Sequence, residues 1–120
     1  MPIMPTSSPV PRGAASKLFS PLAIAGGTVT LKHRIVMAPM TRNRGVPLTE
    51  GTVECPNRVW VPDELFAEYY GQRATEGGLI VTESVLPSLE AGAMPGVPGM
   101  WLSEHLEGWK LVRRSLFKSN

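Results

Sequence analysis

A single cysteine, Cys55, stands among the 120 residues. It excludes an intrachain disulfide and a cysteine-based zinc cluster, and it points to a reducing compartment, the cytoplasm. Cys55 sits beside Pro56 in a loop-forming stretch, where a plain loop residue is the simpler reading than a reactive thiol. No apolar run approaches the roughly 18–20 residues that span a bilayer, so no membrane segment is expected. Histidines number two, His33 and His105, in unrelated segments. Glu104 and Glu107 flank His105 at spacings of one and two residues, which do not gather the three on one helical face, so no metal site is expected. GxGxxG and GxxxxGK are both absent, which removes a dinucleotide fingerprint and a P-loop. Acids are missing from residues 1–49, where six basic residues give +6. Residues 50–107 carry all ten acids and sum to −8, and the last residues add +4, for a net charge of +2. The basic charges are scattered, and no neighbouring aromatic offers Arg42 and Arg44 a stacking platform, so nucleic-acid binding is not expected.

Glycine and proline are abundant instead, 12 of each. Together they form a fifth of the chain, roughly twice the ordinary share of about 12%. With 42% hydrophobic and 18% charged residues and a mean hydropathy of −0.01, the composition is that of a soluble globular segment rich in loops. The first residues, with Pro2, Pro5, Pro9 and Pro11, cannot form the apolar helix of a signal peptide. They read as a disordered leader over 1–17, with a weaker organelle-targeting reading from their serines and lack of acids. Leu18 to Ala25 is apolar, and Gly26-Gly27 marks a turn. Val29-Thr30-Leu31 and Arg34 to Ala38 are β-prone runs separated by Lys32-His33, which predicts a short hairpin leading into a strand. Ile35 to Ala38 is continuously apolar, as in a strand covered on both faces, and Pro39 ends it.

Residues 43–62 show neither period and read as one long loop. Pro62, Asp63 and Glu64 open a helix whose apolar face is Leu65, Phe66, Tyr69, Tyr70 and Ala74, and Gly77-Gly78 stops it. Leu79 to Thr82 is a short buried strand of the parallel type. A second Gly/Pro-rich loop follows, and Ser103 or Glu104 opens a second helix with Leu106, Trp109, Leu111 and Val112 on a mixed face. From Arg113 to Lys118 no coherent pattern is visible.

Two parallel strands thus end in irregular loops, after Ala38 and after Thr82. Ligands in α/β folds bind at the carboxyl ends of strands, so Pro39-Met40-Thr41 and Glu83-Ser84 are expected on one face. Thr41 offers a hydroxyl suited to the polar edge of a planar ligand. Glu83 reads either as an acid/base group or as a structural acceptor for the neighbouring loop.

The blocks Leu18-Phe19-Ser20-Pro21-Leu22, Leu31 to Arg42, Tyr69-Tyr70-Gly71-Gln72-Arg73-Ala74, Gly77 to Glu83, Pro98-Gly99-Met100-Trp101 and Glu107-Gly108-Trp109-Lys110 resemble, in order, the start of the old yellow enzyme family. The resemblance covers roughly residues 18–112, with 113–120 as an unmatched tail, and the loop over 43–61 is longer than the family's usual one. It implies an α/β fold, the N-terminal fragment of a (β/α)8 TIM barrel: about the first two βα units plus an N-terminal hairpin. It implies FMN as cofactor, NAD(P)H as reductant, and an enone or enal as substrate whose activated C=C bond is reduced, in some relatives within secondary metabolism. Ala38, Pro39, Met40, Thr41 and Ser84 fall where the family's loops meet the flavin, and Thr41 resembles the hydroxyl donor that tunes its reduction. A family barrel takes about 250 residues, and its later catalytic groups have no counterpart here. The chain is therefore expected to be inactive alone and to bind FMN weakly or not at all. The alternative is a non-catalytic interaction fragment whose open sheet edge pairs with a partner chain that completes the barrel.

Overall fold

A computed structural model of the chain describes residues 16–91 and 94–118. Asp63 begins its first helix. The Asp63 Oδ1 accepts the N–H groups of Leu65 at 3.1 Å and Phe66 at 3.3 Å, satisfying two of the donors that a helix start leaves open. Helix α1 spans Glu64–Gly71, with Phe66, Ala67 and Tyr70 buried. Leu65, expected on the same face, is 45% exposed. Helix α2 spans Ser103–Lys118. It lies against α1, with Phe66, Tyr70 and Val112 as the centre of the core and Met37, Tyr69, Ile80, Trp109 and Leu116 packed around them. The Phe66 and Trp109 rings meet edge to face at 6.1 Å and 85°, the arrangement their quadrupoles favour. A β carbon at Gly108 would strike the Pro62 carbonyl oxygen, so glycine there permits α2 to pass close to the segment that leads into α1.

Among the described residues, three two-stranded sheets accompany the helices. β1 (Leu22–Ile24) pairs antiparallel with β2 (Val29–Leu31). The hairpin is therefore the one closed by Ala25-Gly26-Gly27, and the expected reversal at Lys32-His33 does not occur. Ala25, Gly26 and Gly27 all adopt positive φ, at 50°, 64° and 91°, which turns the chain back. The Lys32 and Arg34 N–H groups instead donate to the carbonyls of Gly77 and Leu18, so that segment crosses the fold. β3 (Val36–Met37) pairs parallel with β6 (Leu79–Ile80), Val36 opposite Leu79 and Met37 opposite Ile80. Both strands are shorter than the apolar runs that encode them. Met37 and Ile80 face the helices, while Val36 and Leu79 are 45% and 36% exposed, so the pair is covered on one face rather than two.

The stretch expected to be one loop holds a further hairpin, β4 (Val46–Pro47) with β5 (Trp60–Val61). Strands of two residues have no measurable period, which hides them from a pattern reading. The second helix continues through Arg113 to Lys118 although that stretch shows no apolar periodicity, because Leu116 still reaches the core. Of the expected leader, residues 1–15 lie outside the described residues. Ser16 and Lys17 are in place, the Ser16 hydroxyl accepting the Leu18 N–H at the start of a short 3-10 turn over Lys17–Phe19.

Candidate functional site

Parallel pairing of β3 and β6 places their carboxyl ends side by side, and the Val81 N–H donates to the Met37 carbonyl at the point where both strands stop. Beyond it the loops from Ala38 and from Val81 stay together because Glu83 ties them. Glu83 is buried, at 2% exposure. Its Oε2 accepts the Arg42 N–H at 3.0 Å, and its own N–H donates to the Tyr70 hydroxyl at 2.9 Å. The Tyr70 hydroxyl lies 3.5 Å from Oε1. Of the two readings of Glu83, this geometry is that of the structural acceptor. Burial pushes its carboxyl above the usual range, opposed by the N–H groups of Arg42 and Asn43 and by the Tyr70 hydroxyl. Tyr70 is likewise raised, first by burial and then by the adjacent Glu83 charge, although the Glu83 N–H it accepts acts the other way.

Held by that tie, Ala38, Pro39, Met40 and Thr41 lie exposed on the carboxyl-end face, with Ser84 exposed beside them. Among the described residues the Thr41 and Ser84 hydroxyls have no hydrogen-bond partner. An exposed strip of small and apolar residues bordered by two free hydroxyls suits a planar heterocycle with a polar edge, so the donor set fits a flavin ring. Thr41 is tethered from its C-terminal side, because Glu83 accepts the main-chain N–H of the very next residue, Arg42.

The other candidates separate from this face. His33 lies toward the opposite strand ends, its Nε2 sharing a 2.9 Å hydrogen bond with the Thr75 hydroxyl and its Nδ1 accepting the Ile35 N–H. His105 is fully buried and caps the start of α2, Nδ1 accepting from the N–H groups of Trp101 and Leu102. Burial lowers its pKa. Cys55 is exposed and free. Among the described residues no three His, Cys, Asp or Glu side chains gather as metal ligands, and no helix is long and apolar enough to cross a membrane.

Sequence reasoning missed Tyr69 and Tyr70 as members of the site. Both read as helix packing, and the signal that they do more is the placement of α1 between two strands whose loops converge. Tyr69 also supplies the aromatic neighbour that Arg42 lacks in the sequence, with the Arg42 guanidinium carbon 5.2 Å from its ring centre.

Residues 17–117 match the family model described as the NADH:flavin oxidoreductase / NADH oxidase family. The chain is 41% identical over 99 residues to flavin oxidoreductase hxnT of Emericella nidulans, covering 82% of this chain and 23% of that protein. It is 44% identical over 98 residues to the NADP-dependent oxidoreductase lnbE of Aspergillus flavus, covering 81% and 22%. Among solved structures it is similar to the old yellow enzyme homologue from Zymomonas mobilis, with 35% identity and a TM-score of 0.68 over 87% of this chain and 25% of that one. Morphinone reductase in complex with tetrahydroNAD gives 34% identity and a TM-score of 0.69 over 88% and 25%. The chain spans about a quarter of the length of these relatives.

Proposed function

The chain belongs to the NADH:flavin oxidoreductase / NADH oxidase family, and we propose on that premise that it carries the first flavin-contacting loops of an FMN-dependent ene-reductase. The carrying observation is the exposed Ala38–Thr41 strip, whose Thr41 hydroxyl has no hydrogen-bond partner among the described residues, held at the carboxyl ends of β3 and β6 by Glu83. FMN, when bound, supplies the two-electron chemistry that moves hydride from NAD(P)H to the activated C=C bond of an enone or enal. The chain's own contribution is positional. The Thr41 hydroxyl would supply a hydrogen bond that stabilises negative charge on a reduced flavin. Ala38, Pro39 and Met40 would hold the flavin on the first loop and the backbone at Ser84 would hold it on the second. Glu83 and Tyr70 fix both loops.

The 120 residues hold two of the strands of such a barrel and none of the later groups the family uses to hold substrate and phosphate. By themselves they are inactive and bind FMN weakly or not at all. The exposed thiol of Cys55 suits a reducing cytoplasm. The purified chain should be colourless and should not oxidise NAD(P)H with FMN added, and a yellow, stoichiometrically flavinated preparation would overturn that part. The flavin role itself is tested in a chimera in which residues 18–117 replace the matching segment of a relative. There Thr41→Val should slow flavin reduction about tenfold, the effect of losing one hydrogen bond of about 1–1.5 kcal/mol. An unchanged rate would remove Thr41 from the site.

A second reading has its own observation. Val36, Leu79 and Val81 are 45%, 36% and 43% exposed along the β3–β6 pair, Val36 and Leu79 on the face turned away from the helices, and among the described residues the outer side of each strand is left unpaired, an open edge of the kind that recruits another chain. A partner carrying the remaining strands would complete the barrel on it. Co-elution of the two pieces supports this reading, and their separate elution sinks it.

A further inference from the structure

Three arginines, Arg42, Arg44 and Arg73, open onto one cleft of about 190 Å³ between the loop after β3 and helix α1, with Phe66, Tyr69 and Glu83 among its walls. Two of the three are held in place. The Arg73 guanidinium carbon lies 3.9 Å from the centre of the Tyr69 ring, and its Nη1 donates to the Tyr69 carbonyl at 2.8 Å. The Arg42 guanidinium stands over the same ring at 5.2 Å, and its main chain is anchored on Glu83. The third, Arg44, has no hydrogen-bond or ion-pair partner among the described residues. No carboxylate lies within ion-pair distance of any of the three among the described residues. Glu83 is the one acid at the cleft, and its oxygens are directed to the Arg42 N–H and the Tyr70 hydroxyl.

Three cations facing one committed carboxylate leave the cleft electrostatically incomplete. Guanidinium groups offer planar forks of donors matched to phosphate oxygens, and forks already stacked on a ring lose little freedom on binding. A carboxylate presents two oxygens in one plane, which a single fork satisfies. A tetrahedral phosphate presents oxygens in several directions, which suits three forks arriving from the loop after β3 and from the turn that ends α1. The cleft is several times the roughly 30 Å³ share of one water, room for a phosphate group and its first substituent.

We propose that this cleft binds a phosphate group, carried by a nucleotide or free in solution. The inference stands apart from the flavin reading, since neither Thr41 nor Ser84 takes part. It is tested by following amide signals of the full 120-residue chain in two titrations, one with inorganic phosphate and one with adenosine 2′,5′-bisphosphate. Saturable shifts are expected at Arg42, Arg44, Tyr69 and Arg73. Binding of the nucleotide at least tenfold tighter assigns the phosphate to a nucleotide, and equal binding assigns the site to phosphate itself. Arg44→Ala, at a side chain with no hydrogen-bond or ion-pair partner among the described residues, should weaken binding about tenfold, the usual worth of one charged hydrogen bond. Arg44→Lys, which keeps charge and loses the fork, should fall between. Arg58→Ala, which removes an equal charge away from the cleft, should leave affinity unchanged. Shifts that never saturate, or affinity equal in Arg44→Ala and the unaltered chain, would overturn the proposal.

Discussion

Glu83 holds the two site loops together and, as an ionised group, is costly to keep where it is. Its pKa is raised above the ordinary 4.5 chiefly by burial. A raised carboxyl favours folding most when protonated, so its contribution is fully present below the unfolded value and is lost as pH rises through the folded one. His105 behaves in the opposite sense. Its pKa is lowered from the ordinary 6.5 by burial, so its contribution is complete above that value and is lost as pH falls through the lowered one. Between neutrality and mild acid the two oppose each other, and the exposed Glu76, Glu90, Glu104 and Glu107, all lowered, act only at lower pH. Glu83→Gln keeps an acceptor for the Arg42 N–H and removes the titration. It should melt at or above the unaltered chain's temperature at pH 7 and lose stability more steeply on acidification. Glu83→Ala leaves the Arg42 N–H unpaired and should cost about 1–3 kcal/mol, read from denaturant midpoints. The acceptor role of Glu83 was one of the two readings legible in the sequence, because Glu83 follows the Leu79–Thr82 run directly. Tyr70 was not legible, because its hydroxyl reaches the site across 13 residues of chain and its spacing is that of a packing residue.

At the scale of elements, the helices and the parallel pair follow from apolar spacing, and the β4–β5 hairpin does not. Its partners explain why. The Gly45 N–H donates to the Gly96 carbonyl and the Gly99 N–H to the Trp60 carbonyl, so the hairpin is secured by the Gly/Pro-rich segment before α2, far away in sequence. That segment is tight at Gly99, where a β carbon would collide with the rings of Trp101 and His105. The Gly99 carbonyl also accepts the Trp109 indole N–H at 3.1 Å, which links the segment to α2. Gly99→Ala should therefore destabilise by about 1–3 kcal/mol, as overpacking does, and shift the near-ultraviolet tryptophan signal. Gly26→Ala is the comparison, since a β carbon there meets no atom within 4 Å and only the positive φ of 64° opposes it, at about 1 kcal/mol. Equal costs at the two positions would mean that the Trp101–His105 contact does not constrain the fold.

For the whole molecule, the distribution of cover decides what is rigid. Phe66, Tyr70 and Val112 form the core between the helices, and only one face of β3–β6 shares it. The Ile35–Ala38 and Leu79–Thr82 runs are apolar enough for a strand covered twice, and among the described residues that second cover is missing. The mismatch is itself readable: the sequence encodes a barrel wall, and the relatives that share it are about four times as long. Local opening follows burial, so amide exchange should be slowest in α1 and α2 and markedly faster at Met37, Ile80 and Val81, whose ladder is two residues wide. Adding a polypeptide that carries the remaining strands of a relative should slow exchange at the strand amides and leave the helix amides nearly unchanged, because the helices already have their partners. Strand amides as protected in the isolated chain as those of α2 would show that the exposed strip of Val36, Leu79 and Val81 is covered in solution without a partner, and the open-wall account of this chain would fail.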